Sequence, residues 1–312
     1  KGVYYGYFGR LDQIAIKRSY LWLFWQIRPN RHQKGVYYGY FGRLSQTSLQ
    51  KEFIMAILAD YHTHTKYSRN NHGKSTVEEN VRCAYQKGLR QIAITDHGFN
   101  QKLYGIRRKD IPQLKADIED AKERYPIDVL LGVEANLISS QGDIDIVESD
   151  YDNLDIVLCG FHRFVKSTST REQWKFVIKN IMCEIFHHTS KRQREKNTNA
   201  YINAMRKYDI DIITHLNHAC KVDVEKVARV AKETNTLIEL NGKRLGMSDK
   251  EILTCYQLGC KFVIDSDAHH CKRVGECHLG LEAVLRLRLP DSCIVNYNDL
   301  PKFKKEKRKK RS

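Results

Sequence analysis

The chain has 312 residues, a mass of 36.5 kDa and a formal net charge of +16. Its 41% hydrophobic and 29% charged residues are ordinary for a globular protein and exclude collagen-like, coiled-coil and disordered chains. The apolar run from Leu21 to Ile27 is too short to span a bilayer, and no secretory signal is recognisable. We therefore expect a cytoplasmic protein without a membrane partner.

The positive charge is concentrated at the two ends of the chain. Residues 1–54 contain nine Lys and Arg against Asp12 and Glu52, and residues 302–312 contain eight against Glu306. Each end carries +7, which leaves +2 for residues 55–301. Such a basic end is typical of a solvated tail. We therefore predict a basic tail over residues 299–312 and do not expect a nucleic-acid partner.

The first 54 residues contain a perfect repeat. Lys1–Leu11 and Lys34–Leu44 share the sequence KGVYYGYFGRL, and nothing downstream resembles it. Two copies without a third cannot stack into a continuous core. We therefore interpret residues 1–54 as a leader outside the fold, with Met55 as a natural start, and residues 55–298 as one domain.

The nine cysteines are scattered and contain no Cys-x-x-Cys pair. In a chain of this size that pattern favours a reducing compartment over a disulfide scaffold. We assign none of them a function.

After the leader, short apolar strands alternate with segments of helical length. The predicted strands cover residues 54–59, 91–95, 128–133, 156–159, 210–214, 236–240 and 261–264. The predicted helices cover residues 77–87, 111–124, 173–186, 198–207, 223–234 and 249–258. This alternation predicts right-handed βαβ units on a parallel sheet, and seven strands favour a barrel over an open sheet.

Histidines and carboxylates follow the predicted strands. In parallel α/β folds the carboxyl ends of the strands form one face, on which the active site is built. That face would bring together residues that lie two hundred positions apart in the chain. They occur in the segments DYHTHT (60–65), TDHG (95–98), GVEAN (132–136), GFH (160–162), TH (214–215), ELN (239–241) and DSDAH (265–269).

So many buried imidazoles and carboxylates would be costly to pack without cations. Mixed His and carboxylate ligands without Cys suit Zn²⁺, Mn²⁺ or Fe²⁺, and the number of ligands favours two or three ions. Paired cations lower the pKa of bound water and stabilise a phosphoryl transition state. The residue types therefore predict metal-assisted hydrolysis of a phosphate ester, with amide or lactone hydrolysis as the alternative.

These motifs, in this order, resemble the polymerase and histidinol phosphatase (PHP) family, and the likeness extends over residues 57–295. The stretch around GVEANLISSQGDIDI is most similar to the stand-alone bacterial phosphatase branch. The resemblance implies a distorted (β/α)7 barrel. It also implies a ligand set for three ions: His62, His64, Glu134 and Asp267; then Glu134, His162 and His215; then His72, His97 and His269.

The resemblance implies a hydrolase of small phosphate monoesters, with histidinol phosphate as one candidate substrate. We expect catalytic roles for Glu134 and Asp267 and a phosphate contact for Arg163. Three further cations are weaker candidates for that contact: Lys243, Arg244 and Arg273. The alternatives are a nucleic-acid phosphodiesterase or 3'-5' exonuclease, against which the balanced charge of residues 55–301 speaks, and a non-catalytic metal-stabilised binding module.

Overall fold

The computed structural model describes residues 57–305. The predicted leader and residues 306–312 lie outside this range. The seven strands of the described part are β1 Ala59–Asp60, β2 Gln91–Ile94, β3 Asp128–Asn136, β4 Ile156–Gly160, β5 Ile212–Ile213, β6 Leu237–Glu239 and β7 Phe262–Val263. Its main helices are α1 Val77–Gln86, α2 Ile111–Arg124, α3 Lys179–Ile185, α4 Lys191–Lys207, α5 Val224–Glu233, α6 Asp249–Gln257 and α7 His278–Leu287.

The strands form one sheet in the order β1-β2-β3-β4-β5-β6-β7, and every neighbouring pair is parallel. Helices connect most successive strands, as parallel pairing requires. The sheet curls into a distorted (β/α)7 barrel, so the predicted fold class is confirmed.

The seam between β1 and β7 is closed by loops and by one buried side chain. At the carboxyl end, Thr63 forms a parallel bridge with Ala268. Lower in the barrel, the Asn296 side chain donates to the carbonyls of Ala59 and Ile264, each at 2.8 Å. It also accepts the N–H of Ile264 at 3.1 Å. The fully buried Asn296 side chain therefore supplies hydrogen bonds to backbone groups at the seam, where β1 and β7 do not pair with each other.

The two faces of the sheet bury different sets of residues. Residues that point towards the helices join the larger cluster, for example Ile92, Val157 and Ile213. Their alternating neighbours Ala93 and Leu158 join a smaller cluster. Because side chains alternate along a strand, the smaller cluster fills the inside of the barrel. The same alternation aims the residues at the carboxyl ends of the strands inward.

The start of the predicted basic tail belongs to this packed domain. Phe303 is 6% exposed and packs edge-on against Tyr61, with ring centroids 4.9 Å apart. The backbone N–H of Lys304 donates to Asp211 at 2.8 Å. Phe303 lies in the smaller cluster, so the segment around it closes the inside of the barrel from the end opposite the histidines.

We expect Phe303→Ala to lower the free energy of unfolding by about 3 kcal/mol, because it leaves a cavity inside the barrel. Denaturant titration of the full chain measures this loss. Phe186→Ala is the matched control, since Phe186 is 68% exposed and its truncation should change stability by less than about 0.5 kcal/mol. Equal stability of both variants would contradict the assignment of Phe303 to the core.

Local capping explains where several helices begin and end. Thr76 and Glu79 form a capping box at the start of α1, as Ser248 and Glu251 do at the start of α6. Gly88 and Gly259 follow the ends of these helices with φ of +78° and +80°. Only glycine adopts that conformation without strain, so each of these glycines ends its helix.

Three helical segments differ from the sequence-based expectation. Helix α4 begins at Lys191 instead of residue 198, because the Ser190 side chain caps it. The predicted helix 173–186 is divided into a π-helical turn, Gln173–Ile178, and α3. Helix α7 was not predicted. Within residues 57–305, no helix is both long and apolar enough to cross a bilayer.

Candidate metal centre

Glu134 lies at the centre of a group of histidines at the carboxyl ends of the strands. Its Oε1 is 2.9 Å from His215 Nε2, 3.2 Å from His162 Nε2 and 3.3 Å from His62 Nε2. Its Oε2 is 3.0 Å from His97 Nδ1. The carboxylate is completely buried. The two oxygens thus face different histidines, as a bridging carboxylate requires.

Asp267 joins the remaining histidines to this group. Its Oδ1 is 3.5 Å from His64 Nε2 and 3.3 Å from His269 Nδ1. His269 in turn brings its Nε2 to 3.0 Å from His72 Nε2. The structure therefore brings all nine predicted metal-binding residues into one cluster, although the chain separates the first from the last by more than two hundred positions.

The backbone is strained at two of the residues in this cluster. His215 has φ of +31° and Asp267 has φ of +52°, both left-handed and both non-glycine. Such a conformation costs on the order of 1–3 kcal/mol per residue and occurs preferentially at functional sites. At both positions it follows the end of a short strand, and the side chain is aimed into the cluster.

Residues outside the predicted set orient the imidazoles. The Nδ1–H of His62 donates to Glu239 Oε1 at 2.6 Å, which leaves Nε2 facing Glu134. The backbone N–H of His215 donates to Glu239 Oε2 at 2.6 Å. His162 Nδ1 donates to Asn136 Oδ1 at 2.9 Å. A hydrogen bond of this type fixes the tautomer and the ring orientation of a metal-binding histidine.

A buried aspartate holds the loop that follows β1. Asp96 accepts the backbone N–H groups of Thr65 and Ser68 at 2.7 and 2.9 Å, and both hydroxyls at 2.6 Å. This loop carries His64 and His72. The chain neighbour of His97 therefore positions ligands from a different strand.

The electrostatics of the cluster favours ionised Glu134 beside neutral imidazoles of His97 and His269. Burial by itself would raise the pKa of Glu134, but His162 and His62 lower it well below its usual range. Burial lowers the pKa of His97 to about 3 and that of His269 to about 4. Metal ions bind deprotonated ligands, so these groups are in the required state at neutral pH.

The pKa values of His62 and His215 are instead raised, although burial lowers both, because carboxylates surround the two rings. His62 shows this most clearly. Burial lowers its pKa, yet the carboxylates of Glu134 and Glu239 outweigh burial and raise the pKa well above the usual value. In the absence of an ion, a proton on His62 satisfies these carboxylates. Because a proton and a metal ion compete for the same nitrogen, ion binding at His62 releases that proton.

Several buried polar atoms in the cluster lack a hydrogen-bond partner among residues 57–305. They are His62 Nε2, both ring nitrogens of His64 and of His97, and Glu134 Oε2. They nevertheless converge, with separations such as 3.0 Å for His97 Nδ1 and 3.7 Å for His64 Nε2 from Glu134 Oε2. Buried polar atoms are rarely left unpaired. Converging donor atoms without hydrogen bonds fit divalent ions, which would satisfy them.

Among residues 57–305, three groups of side chains offer potential ligand atoms that lie within 4.8 Å of one another inside each group. They are His62, His64 and Asp267; His97, Glu134 and His162; and His64, His97 and His269. The first resembles the implied first ion site. The second and third groups differ from the ligand sets that the family resemblance implies. In the second, His97 takes the place of His215 beside Glu134, and in the third, His64 takes the place of His72 beside His269. The division of ligands between ions stays a prediction.

Of the cations predicted to contact phosphate, some lie at the cluster and others do not. Arg163 turns its guanidinium to Glu184, to which Nε donates at 2.8 Å, and it makes no ion pair with the cluster. Lys243 places Nζ 3.6 Å from Asp267 Oδ2 and 3.3 Å from His269 Nδ1. Of the candidate cations, Lys243 thus contacts the cluster directly.

The roles of three residues at the site were not predictable from the sequence motifs. Glu239 and Asn136 stood in strand-end motifs, but the motifs did not show that they contact histidines instead of an ion. Tyr104 stacks on His72 with ring centroids 3.9 Å apart, and burial raises the pKa of its hydroxyl to about 12, so it stays a donor. No pattern around Tyr104 indicated this position.

The chain is similar in sequence to probable phosphatases. Residues 60–250 match the PHP domain family. A probable phosphatase of Thermoanaerobacter sp. (strain X514) is 31% identical over 272 residues, which cover 82% of this chain and 98% of that protein. A probable phosphatase of Caldanaerobacter subterraneus is 30% identical over 272 residues, with 82% and 94% covered.

Among solved structures, the chain is similar to histidinol phosphate phosphatase from Lactococcus lactis, which was solved in complex with zinc, L-histidinol and phosphate. It has a TM-score of 0.48 and 13% identity, and the match covers 78% of this chain and 96% of that chain. The family match and the 31% identical relative show that the chain belongs to the PHP family. The resemblance predicted from the motifs is thereby confirmed.

Proposed function

We propose that this protein hydrolyses small phosphate monoesters at the cluster around Glu134. The class of enzyme follows from the family. As a member of the PHP family with probable phosphatases among its relatives, the chain is a metal-dependent phosphoesterase. The proposal of monoester hydrolysis rests on the convergence of seven histidines around two buried carboxylates, Glu134 and Asp267, at the carboxyl end of the barrel.

The nine residues would hold two or three divalent ions, of zinc, manganese or iron. Bound ions supply an activated nucleophile near neutral pH and positive charge for a phosphoryl transition state. The chain itself fixes the donor atoms. Glu134 presents its two oxygens to different histidines, and Asp267 presents Oδ1 to histidines and Oδ2 to Lys243.

We assign the phosphate contact to Lys243, with Tyr104 as a second donor. The Lys243 ammonium lies beside two members of the cluster and its side chain is about a third exposed, so it can reach a ligand from solvent. The Tyr104 ring covers His72 at the same corner. A cation and a neutral hydroxyl there suit the oxygens of a phosphate group.

We expect Lys243→Met to weaken inhibition by inorganic phosphate and to lower kcat/KM by about tenfold, the usual value of one charge-assisted contact. Lys250→Met, at an exposed position of α6, is the matched control and should leave both constants unchanged. Phosphate inhibition that is identical in the two variants would remove Lys243 from the substrate site.

The proposed function is tested by comparing p-nitrophenyl phosphate with bis-p-nitrophenyl phosphate, with Mn²⁺ or Zn²⁺ added. Turnover of the monoester is the expected result, and histidinol phosphate is then the first natural candidate to assay. Turnover of the diester alone would replace the proposal with a phosphodiesterase. No turnover of either ester by metal-loaded protein would favour the binding module.

We further propose that the protein works in the cytoplasm. All nine cysteines are free thiols, and eight of them are buried. Thiols persist in a reducing compartment, which supports the expectation drawn from their scattered positions.

A further inference from the structure

The segment 170–186, which contains the π-helical turn and α3, has apolar side chains on two sides. One side packs into the domain through Phe176, Val177 and Cys183. The other side, which we call the outward face, exposes a row of large apolar residues to solvent: Trp174 at 66%, Met182 at 40%, Ile185 at 61% and Phe186 at 68%. Single exposed apolar residues are normal, but a contiguous row marks an interaction surface.

The outward face is also positively charged. Arg171, Lys175 and Lys179 are exposed and form no ion pair with another residue in the range 57–305. The two acidic residues of the segment are engaged elsewhere. Glu172 accepts a backbone N–H at 2.8 Å from the loop after β3, and Glu184 pairs with the guanidinium after β4. The face therefore offers apolar groups and cations together, without a competing carboxylate.

This composition distinguishes between possible partners. A second copy of the chain, packed through the same face, would bring the three cations against three others. A peptide that binds through its side chains needs a groove, whereas this surface is one side of a helix. A lipid surface needs no groove, and anionic headgroups complement the cations while the aromatic and aliphatic side chains enter the acyl boundary.

We propose that the outward face of residues 170–186 binds the surface of a membrane rich in anionic lipids. Helices that lie in the interface carry Trp, Phe and other apolar residues beside Lys and Arg, as this face does. Such binding requires no membrane-spanning helix. The proposal differs from the sequence-based expectation of no membrane partner, because only the structure shows which side of this amphipathic segment faces solvent.

Vesicle co-sedimentation of the full chain tests the proposal. We expect binding to phosphatidylcholine vesicles that contain phosphatidylglycerol and much weaker binding to phosphatidylcholine alone. Replacement of Arg171, Lys175 and Lys179 by Gln should weaken binding on the order of a hundredfold, since each cation near an anionic surface contributes about fivefold. The double variant Ile185→Ser and Phe186→Ser should lose at least about tenfold. Tyr256→Ser, at an exposed position of α6, is the control.

Trp174 gives a second readout. With Trp22 and Trp25 replaced by Phe, Trp174 is the only tryptophan of the chain, and vesicles with brominated acyl chains should quench its fluorescence. Equal binding to both vesicle types, or full binding by the face variants, would overturn the proposal, and the second result would place lipid binding outside the outward face. Loss of self-association in the face variants without lipid would instead identify a second copy as the partner.

Discussion

Replacing Glu134 with Ala should lower kcat/KM for a phosphate monoester by about a thousandfold or more. Glu134 is the buried carboxylate that faces five imidazoles through its two oxygens. Its removal deletes the carboxylate that would hold the proposed ions and the negative charge that would offset them. Because stabilisation by the ions is worth several kcal/mol in the transition state, their loss or displacement should dominate the kinetics. Steady-state assays and metal analysis of the purified variant measure both effects.

The matched control for this prediction is Glu148→Ala, which removes an exposed carboxylate and should leave activity and metal content unchanged. Circular dichroism of both variants separates loss of the site from loss of the fold. Retention of metal and of activity within about tenfold of the wild type by Glu134→Ala would contradict the central position of Glu134.

Glu239→Gln should weaken metal binding by about 10–100-fold, the usual effect of removing a partner that orients a ligand. Glu239 accepts N–H groups on both oxygens, from His62 on one and from His215 and Asn241 on the other. A glutamine places an NH₂ group against at least one of these donors. The rings of the cluster then lose their fixed orientation, while no donor atom of the cluster itself is removed.

Metal titration distinguishes this role from a catalytic one. If Glu239 acts by positioning His62, excess Mn²⁺ or Zn²⁺ should restore most of the activity of Glu239→Gln. Unchanged metal affinity together with a low kcat that added metal does not restore would show that Glu239 acts on the substrate. Glu251→Gln, in the capping box of α6, is a suitable control, since it should change stability and leave metal affinity unaltered.

Much of the fold was predictable because its signals are local. Strands of a parallel barrel are short apolar runs, and their helices begin at side-chain caps and end at glycines, as α1 and α6 do. Helix α4 extends further towards its N-terminus than predicted, because its first turns are rich in charged residues and only the Ser190 cap marks the beginning. The seam at Asn296 was not predictable, since one asparagine carries no pattern.

The candidate site was also predictable only in part. The sequence predicted that its histidines and carboxylates meet, because those at the carboxyl ends of successive parallel strands lie on one face of a barrel. The resemblance to the PHP family implied which nine of them bind ions. The sequence could not show what each polar side chain contacts there. Glu239 ends β6 and Asp267 lies in the loop after β7, so both are at the carboxyl end of the barrel. Yet Glu239 accepts a hydrogen bond from Nδ1 of His62, whereas Asp267 faces the potential ligand atom Nε2 of His64.

The contacts of the cations also depended on the tertiary structure. Arg163 directly follows a predicted ligand in the chain, but its guanidinium reaches Glu184 on α3. Lys243 comes from the loop after β6 and lies beside Asp267 from the loop after β7. Sequence alone predicted the alternation of strands and helices from its periodicity, and its ordered motifs predicted the family, whose resemblance implied the barrel and the nine metal-binding residues. Only the folded chain decided which side chains meet, because long side chains on neighbouring loops reach partners that no spacing encodes.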